Sequence, residues 1–244
     1  MNETTSDQSA TPTVAPSMQA ALRGLTELVS REAGENLAGL TAFGAVLSPD
    51  FDPGRMTAAT VMVLDRMDLA LLRRLAEHGP ALGSQQIAAP LVMTPAYIRR
   101  SFDSFPLEML EIHQCHITLA GRDFFESIEI ESQYVRLQCE AEFKRILIRM
   151  RQGLLTAGSR EDVLAELVMD IGQHLLRTLR GLLWLQGKRD PLPREQVVAE
   201  SEQRVGSPLP GVRSATLPHG EHGWDEFRAL YEDVEKLAVV ADEH

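Results

Sequence analysis

Past residue 132 the chain carries three long apolar stripes at helical spacing, and few architectures satisfy all three. The first runs through Cys139, Phe143, Ile146, Leu147, Met150 and Leu154. The second takes Leu164, Leu167, Val168, Ile171, Leu175, Leu179 and Leu182, and the third Trp224, Phe227, Leu230, Tyr231, Val234, Leu237 and Ala241. Apolar residues three or four apart line one face of a helix, and a face that long must be covered. Three such helices covering one another predict a helical bundle. A shorter helix is expected over residues 195–205, behind Pro191 and Pro193. Residues 206–223, rich in Pro, Gly, Ser and His, read as a loop before the last helix.

The first half is built differently. Leu22, Leu25, Leu28 and Val29 predict a helix that stops near Gly34. Residues 37–43 form a short apolar run suited to a buried strand, and residues 44–54 hold the turn sequences Ser48-Pro49-Asp50 and Asp52-Pro53-Gly54. Residues 60–64 are β-branched and apolar, again a strand. Residues 68–77 predict a helix with Leu71, Leu72 and Leu75 on one side. Residues 87–93 predict a third strand that Pro90 confines to an edge or bulge. A helix should start near Thr94 with Pro95 in its first turn, and residues 107–113 read as a fourth strand in which Glu108 and Glu111 are offset against apolar neighbours. The expected class is therefore α+β: a mixed sheet with flanking helices over residues 18–128, then a helical bundle over residues 129–244.

A net charge of -11 argues against broad, sequence-independent binding to nucleic-acid backbones, although it permits a local basic pocket. Residues 1–17 are rich in Thr, Ser, Pro and Ala without an apolar run, which predicts a disordered tail rather than a secretory signal. The most apolar candidate for a membrane span, residues 175–185, is short and carries Arg177 and Arg180. The two cysteines, Cys115 and Cys139, give no disulfide framework, so free thiols in a reducing cytoplasm are expected.

Several short pieces in fixed order resemble a known family. They are Gly44-Ala45, Asp52-Pro53-Gly54-Arg55 and the strand after it, then Phe105-Pro106-Leu107-Glu108, Gly121-Arg122-Asp123, Ile130-Glu131, Leu137-Gln138-Cys139-Glu140 and Arg149-Met150-Arg151-Gln152-Gly153. Together they resemble the small bacterial and archaeal nucleotidyltransferases with an appended helical domain, in the layout of the aminoglycoside nucleotidyltransferases. The resemblance implies a nucleotidyltransferase-like mixed sheet. It also implies a Gly-Ser loop after the first strand, two carboxylates one residue apart on the next strand, and a third acid on a later strand. Side chains at alternate strand positions share a face. Two carboxylates there hold magnesium ions against a triphosphate, and the glycine loop lets backbone approach phosphate.

This chain departs from that pattern where the chemistry is done. Ala45 stands at the serine position, and the paired carboxylate positions fall on Thr57 and Ala59. Residues 56–60 contain no carboxylate, so no metal site and no cofactor are expected there. Glu108 or Glu111 is the counterpart of the third acid. An alternative keeps magnesium and nucleotide transfer through displaced carboxylates such as Asp50, Asp52 and Glu108; Asp65 and Asp68 lie past the strand, and turn and helix-cap roles suit these aspartates better.

If the cleft binds a nucleotide or another anion without chemistry, Gly44, Ala45, Arg55 and Thr57 are the residues expected to touch it. His113, Cys115 and His116 cluster, but their spacing fits no standard zinc site, so a buried thiol and surface imidazoles are expected. His219 and His222 lie in the glycine-rich loop. Arg213 and His219 superficially match the arginine-to-histidine spacing of helical ribonuclease toxins, a motif that belongs on a helix. Lys144, Arg145, Arg149 and Arg151 read as a solvated helix face paired with Glu140 and Glu142, or as a wall meeting an anion. The functional expectation is a catalytically inactive binding or interaction module, with a protein partner or a homodimer through the bundle. The alternatives are an active transferase and an antitoxin-like regulatory partner.

Overall fold

The run Leu37–Phe43 forms strand β1, and its last six positions are buried. Burial on both faces explains why the strand reads as a continuous apolar run rather than an alternating one. β1 lies inside a four-stranded sheet of order β3-β2-β1-β4, with β2 at Ala59–Leu64, β3 at Leu91–Met93 and β4 at His116–Gly121. β1 pairs antiparallel with β2 and β4, and β2 pairs parallel with the edge strand β3. Pro90 falls between the isolated Ala58–Ile87 bridge and β3, where a missing amide hydrogen costs no ladder bond. The computed structural model describes residues 13–48, 51–54, 56–158, 160–216 and 223–242.

Helix α1 (Gln19–Ala33) buries Leu22, Leu25, Leu28 and Val29, the four positions that predict it. Helix α2 (Leu69–Ala76) is capped by Asp68, whose carboxylate accepts from the amides of Ala70 and Leu71. A short α3 (Gly79–Ser84) follows, and α4 (Pro95–Arg99) starts with proline as expected. The expected tail, residues 1–17, lies outside the described residues up to residue 12. Its end is ordered: Ala15 is buried and its amide donates to Val46 O.

Residues 107–113 are not a strand. They lie in helix α5 (Pro106–Gln114), which buries Leu107, Met109, Leu110 and Ile112. Proline opens the helix, and the Met109 amide bonds Phe105 O. Glu108 and Glu111 are three residues apart, which is one side of a helix, and both bind Arg177. The fourth strand is β4 instead.

The long helices fall where the stripes place them: α6 (Ser132–Ala157), α7 (Glu161–Leu185), α8 (Arg194–Val205) and α10 (Trp224–Asp242). The expected loop at residues 206–223 contains a helix, α9 (Pro210–Thr216). Its first amides are satisfied by a carboxylate distant in sequence, since buried Asp233 accepts from Gly211 N at 2.7 Å and Val212 N at 3.2 Å.

The chain forms two compact units, one of residues up to Pro95 together with Cys115–Glu126, the other of Ala96–Gln114 together with the residues from Ser127 on. The first is cored by Leu22 and Leu25 of α1, Leu40 and Ala42 of β1, and Met62 and Leu64 of β2. The second is cored by Leu107 and Leu110 of α5 and the stripes of α6, α7 and α10. Among the described residues no helix is long and apolar enough to cross a membrane.

Candidate functional site

β1 ends at Phe43 and the backbone turns at once. Gly44 has φ +70°, a region that glycine enters without strain, and its amide donates to Cys115 O at 3.0 Å. A 3-10 turn over Gly44–Leu47 then buries Val46 and Leu47 and leaves Ala45 exposed. The exposed side chain of this turn is the methyl group of Ala45, which offers no hydrogen bond.

β2 enters beside this turn, with Ala59 opposite Phe43. Its start is pinned by the Ala58 amide donating to Gln86 O at 2.7 Å and by Ala88 donating to Ala58 O at 3.0 Å. Ala58 and Thr60 are buried, while Thr57 is exposed and Ala59 half-buried. That alternation puts Thr57 and Ala59 on one face, and directly opposed strand residues share a face too. Phe43 is opposite Ala59 on one side and His116 on the other, so Ala59, Phe43 and His116 form one row across β2, β1 and β4. The row contains no carboxylate.

Next to it lies a pairing that the linear sequence does not announce. His116 Nε2 is 3.0 Å from Asp123 Oδ2, and Thr118 Oγ1 donates to the same oxygen at 2.9 Å. The Phe125 and Glu126 amides bond the other oxygen at 2.7 and 3.0 Å. Burial works against ionisation of Asp123, but these hydrogen bonds outweigh it and hold the carboxyl below its ordinary value. The signal that could have found the pair is His116 and Thr118 at alternate positions, one face of a strand, with an aspartate in the turn after it. With its side chain only 10% exposed, His116 is not the surface imidazole expected.

The described carboxylates offered as displaced ligands each have a local partner. Asp52 Oδ1 closes a turn onto the Gly54 amide at 2.9 Å. Asp65 faces Arg122 at 3.6 Å, and Asp68 is the α2 cap. Glu108 and Glu111 belong to α5, in the second unit, where Arg177 lies 3.1 and 2.8 Å from them and Gln138 donates to Glu108 at 3.0 Å. Neither sits on a strand, so the expected counterpart of a third acid is not realised. Arg55, Asp50, His219 and His222 lie outside the described residues. Arg213 is on α9, where it pairs with Glu202 at 2.7 Å.

His113 ends α5, and Cys115, only partly buried, precedes β4. Among the described residues no three His, Cys, Asp or Glu side chains converge as a metal-holding group. The basic stretch of α6 is paired: Lys144 with Glu140 and Asp242, Arg145 with Glu142, Arg149 with Asp170, and Arg151 with Glu235.

No protein-family model matches the chain, and no curated protein matches it. Among solved structures it is similar to a spectinomycin adenyltransferase, AAD(9) from Enterococcus faecialis, determined with ATP and spectinomycin. The TM-score is 0.60 at 11% identity, over 91% of this chain and 98% of that one. A likeness that spans nearly both chains at such low identity is one of fold. The chain therefore has an α+β, nucleotidyltransferase-like fold, a four-stranded mixed sheet with flanking helices followed by a helical region.

Proposed function

We propose that this is a nucleotidyltransferase-fold protein without transferase chemistry, acting as a binding or interaction module. The observation that carries this reading is the pair Thr57, exposed, and Ala59, half-buried, which share one face at the head of β2 beside the Gly44 turn and bring no charge to it. Phosphoryl transfer is catalysed almost wholly by positioned charge. Two carboxylates on that face would neutralise magnesium and align a triphosphate; a hydroxyl and a methyl do neither. What the face retains is the Gly44 backbone and the Thr57 hydroxyl; Arg55, expected from the sequence to meet an anion, lies outside the described residues. Those groups suit a nucleotide or another anion held without reaction.

Supply by displaced carboxylates is disfavoured. Asp52 is occupied by its own turn, and Glu108 is held by Arg177 and Gln138. Calorimetric titration with MgATP and other nucleoside triphosphates, alongside transfer assays with labelled nucleotide, tests the reading. Binding without turnover, or no binding, agrees with it. Metal-dependent transfer that survives repurification and is lost in Asp52→Asn or Glu108→Gln would replace it with the active-enzyme reading.

A further inference from the structure

Helix α5 ends at a cavity of about 410 Å³, within the size range of small-molecule sites. Every residue around it belongs to the second unit. His113 and Gln114 come from the last turn of α5, and Trp184 from the last turn of α7. Ile128 and Ile130 line it from the segment before α6, while Glu129 between them is exposed. Arg189, Asp190 and Pro191, on the connection from α7 to α8, complete the wall.

Arg189 is held there through both backbone and side chain. Its carbonyl accepts from Gln114 Nε2 at 2.8 Å, which ties the connection to α5. Its guanidinium lies over the Trp184 ring, 3.8 Å from the centroid. Stacking engages the flat face of a guanidinium and leaves the N–H groups around its edge for an acceptor. A side chain already held in this way loses little freedom when a ligand arrives. Among the described residues neither Arg189 nor Asp190 belongs to a salt bridge, in contrast to the paired bases of α6.

The edge of a guanidinium fits a carboxylate through two parallel hydrogen bonds. A simple anion would also meet the Asp190 carboxylate, which repels it. A ligand that carries an ammonium beside its carboxylate satisfies both groups, and an α-amino acid has the two charges on neighbouring atoms of one small frame. Its side chain then meets Ile128, Ile130 and Pro191, a wall that favours an apolar one.

We propose that this cavity binds a free α-amino acid with a branched or aromatic side chain. Its carboxylate lies on Arg189, its ammonium on Asp190 and its side chain against Ile128 and Ile130. The cavity shares no residue with the strand site, so a negative result here leaves the non-catalytic reading untouched. Trp184 and Trp224 are the only tryptophans of the chain, so Trp224→Phe leaves a single emitter that reports on the stack. Titrating that full-length variant with leucine or phenylalanine should give a saturable change in emission and a matching calorimetric isotherm, and glycine should bind more weakly. Leucine methyl ester lacks the carboxylate charge and N-acetyl-leucine the ammonium. Each should bind about ten- to a hundredfold more weakly than leucine, the worth of a charged hydrogen bond. Arg189→Gln should weaken leucine by a similar factor without weakening the ester further, and Asp190→Asn should do so without weakening the N-acetyl compound further. Both positions are exposed, so the circular dichroism should stay that of the parent. Neither heat nor a change in emission with leucine and phenylalanine would overturn the proposal. Leucine binding that survives both substitutions, or an ester or N-acetyl compound that binds as tightly as leucine, overturns it as well.

Discussion

Asp123 collects four hydrogen bonds on one carboxylate, from His116, Thr118 and the amides of Phe125 and Glu126, and they fix the turn that follows β4. Its pKa lies below the ordinary 3.8: burial pushes it up, and the four donors push it down further. An acid whose pKa is depressed on folding contributes stability that is complete above its unfolded pKa and is lost as the pH falls through its folded one. Asp123→Asn should therefore unfold at lower urea than the parent at neutral pH, and the gap should close as the pH falls below 3.8. A gap that does not change with pH would assign the loss to packing instead. The same scale decides the strand site. Thr57→Asp with Ala59→Asp puts two like charges on one face, so the double variant should melt below the parent. Manganese should raise its melting temperature by several degrees and leave the parent unmoved, since only a folded state that binds the ion gains from it. A variant indifferent to manganese would mean that these positions do not converge.

Among the elements, those set by their own residues were legible in the sequence. β1 was readable because burial on both faces demands an unbroken apolar run, and α2 because Asp68 caps it with its own side chain. The long helices were readable because each stripe covers a whole face. α5 was not: its apolar residues alternate closely enough to mimic a strand, and the fact that settles it, Arg177 receiving Glu108 and Glu111, comes from a helix far along the chain. α9 was hidden for the same reason, because its cap is Asp233, 22 residues from Gly211. That residues 56–60 carry no carboxylate could be read from the sequence; the His116–Asp123 pair needs the turn after β4 to be folded.

Close approach between elements also makes a contrast that can be measured. Gly172 of α7 lies so near α9 that a Cβ there would stand 2.2 Å from Ala215 O, a backbone atom unable to step aside. Gly172→Ala should cost about 1–3 kcal/mol through overpacking. Gly24, exposed within α1, meets nothing within 4 Å, so Gly24→Ala should add about 0.5–1 kcal/mol by restricting the unfolded chain. Urea midpoints of the two variants should move in opposite directions.

For the whole molecule, chain order and core membership do not coincide. The second unit takes Ala96–Gln114 from the middle of the sequence, while Cys115–Glu126 returns to the first. α5 gives the second core Leu107 and Leu110, each 2% exposed, and gives Arg177 both of its acids. Gly181 of α7 is a glycine because a Cβ there would lie 2.2 Å from Leu107 Cδ2 and 3.0 Å from Cys139 Sγ. A fragment of residues 129–244 keeps all the long helices but lacks α5, so it should expose the slot that Leu107 and Leu110 fill and leave Arg177 unpaired. Each missing leucine is worth about 2–5 kcal/mol, comparable with the whole stability of a small domain. That fragment should stay helical yet unfold in urea over a broad range with a low slope. Fragment 96–244, which restores α5, should unfold sharply at a higher midpoint. Equal midpoints and slopes would show that the bundle closes without α5, and the style change near residue 128 would then mark a true folding boundary.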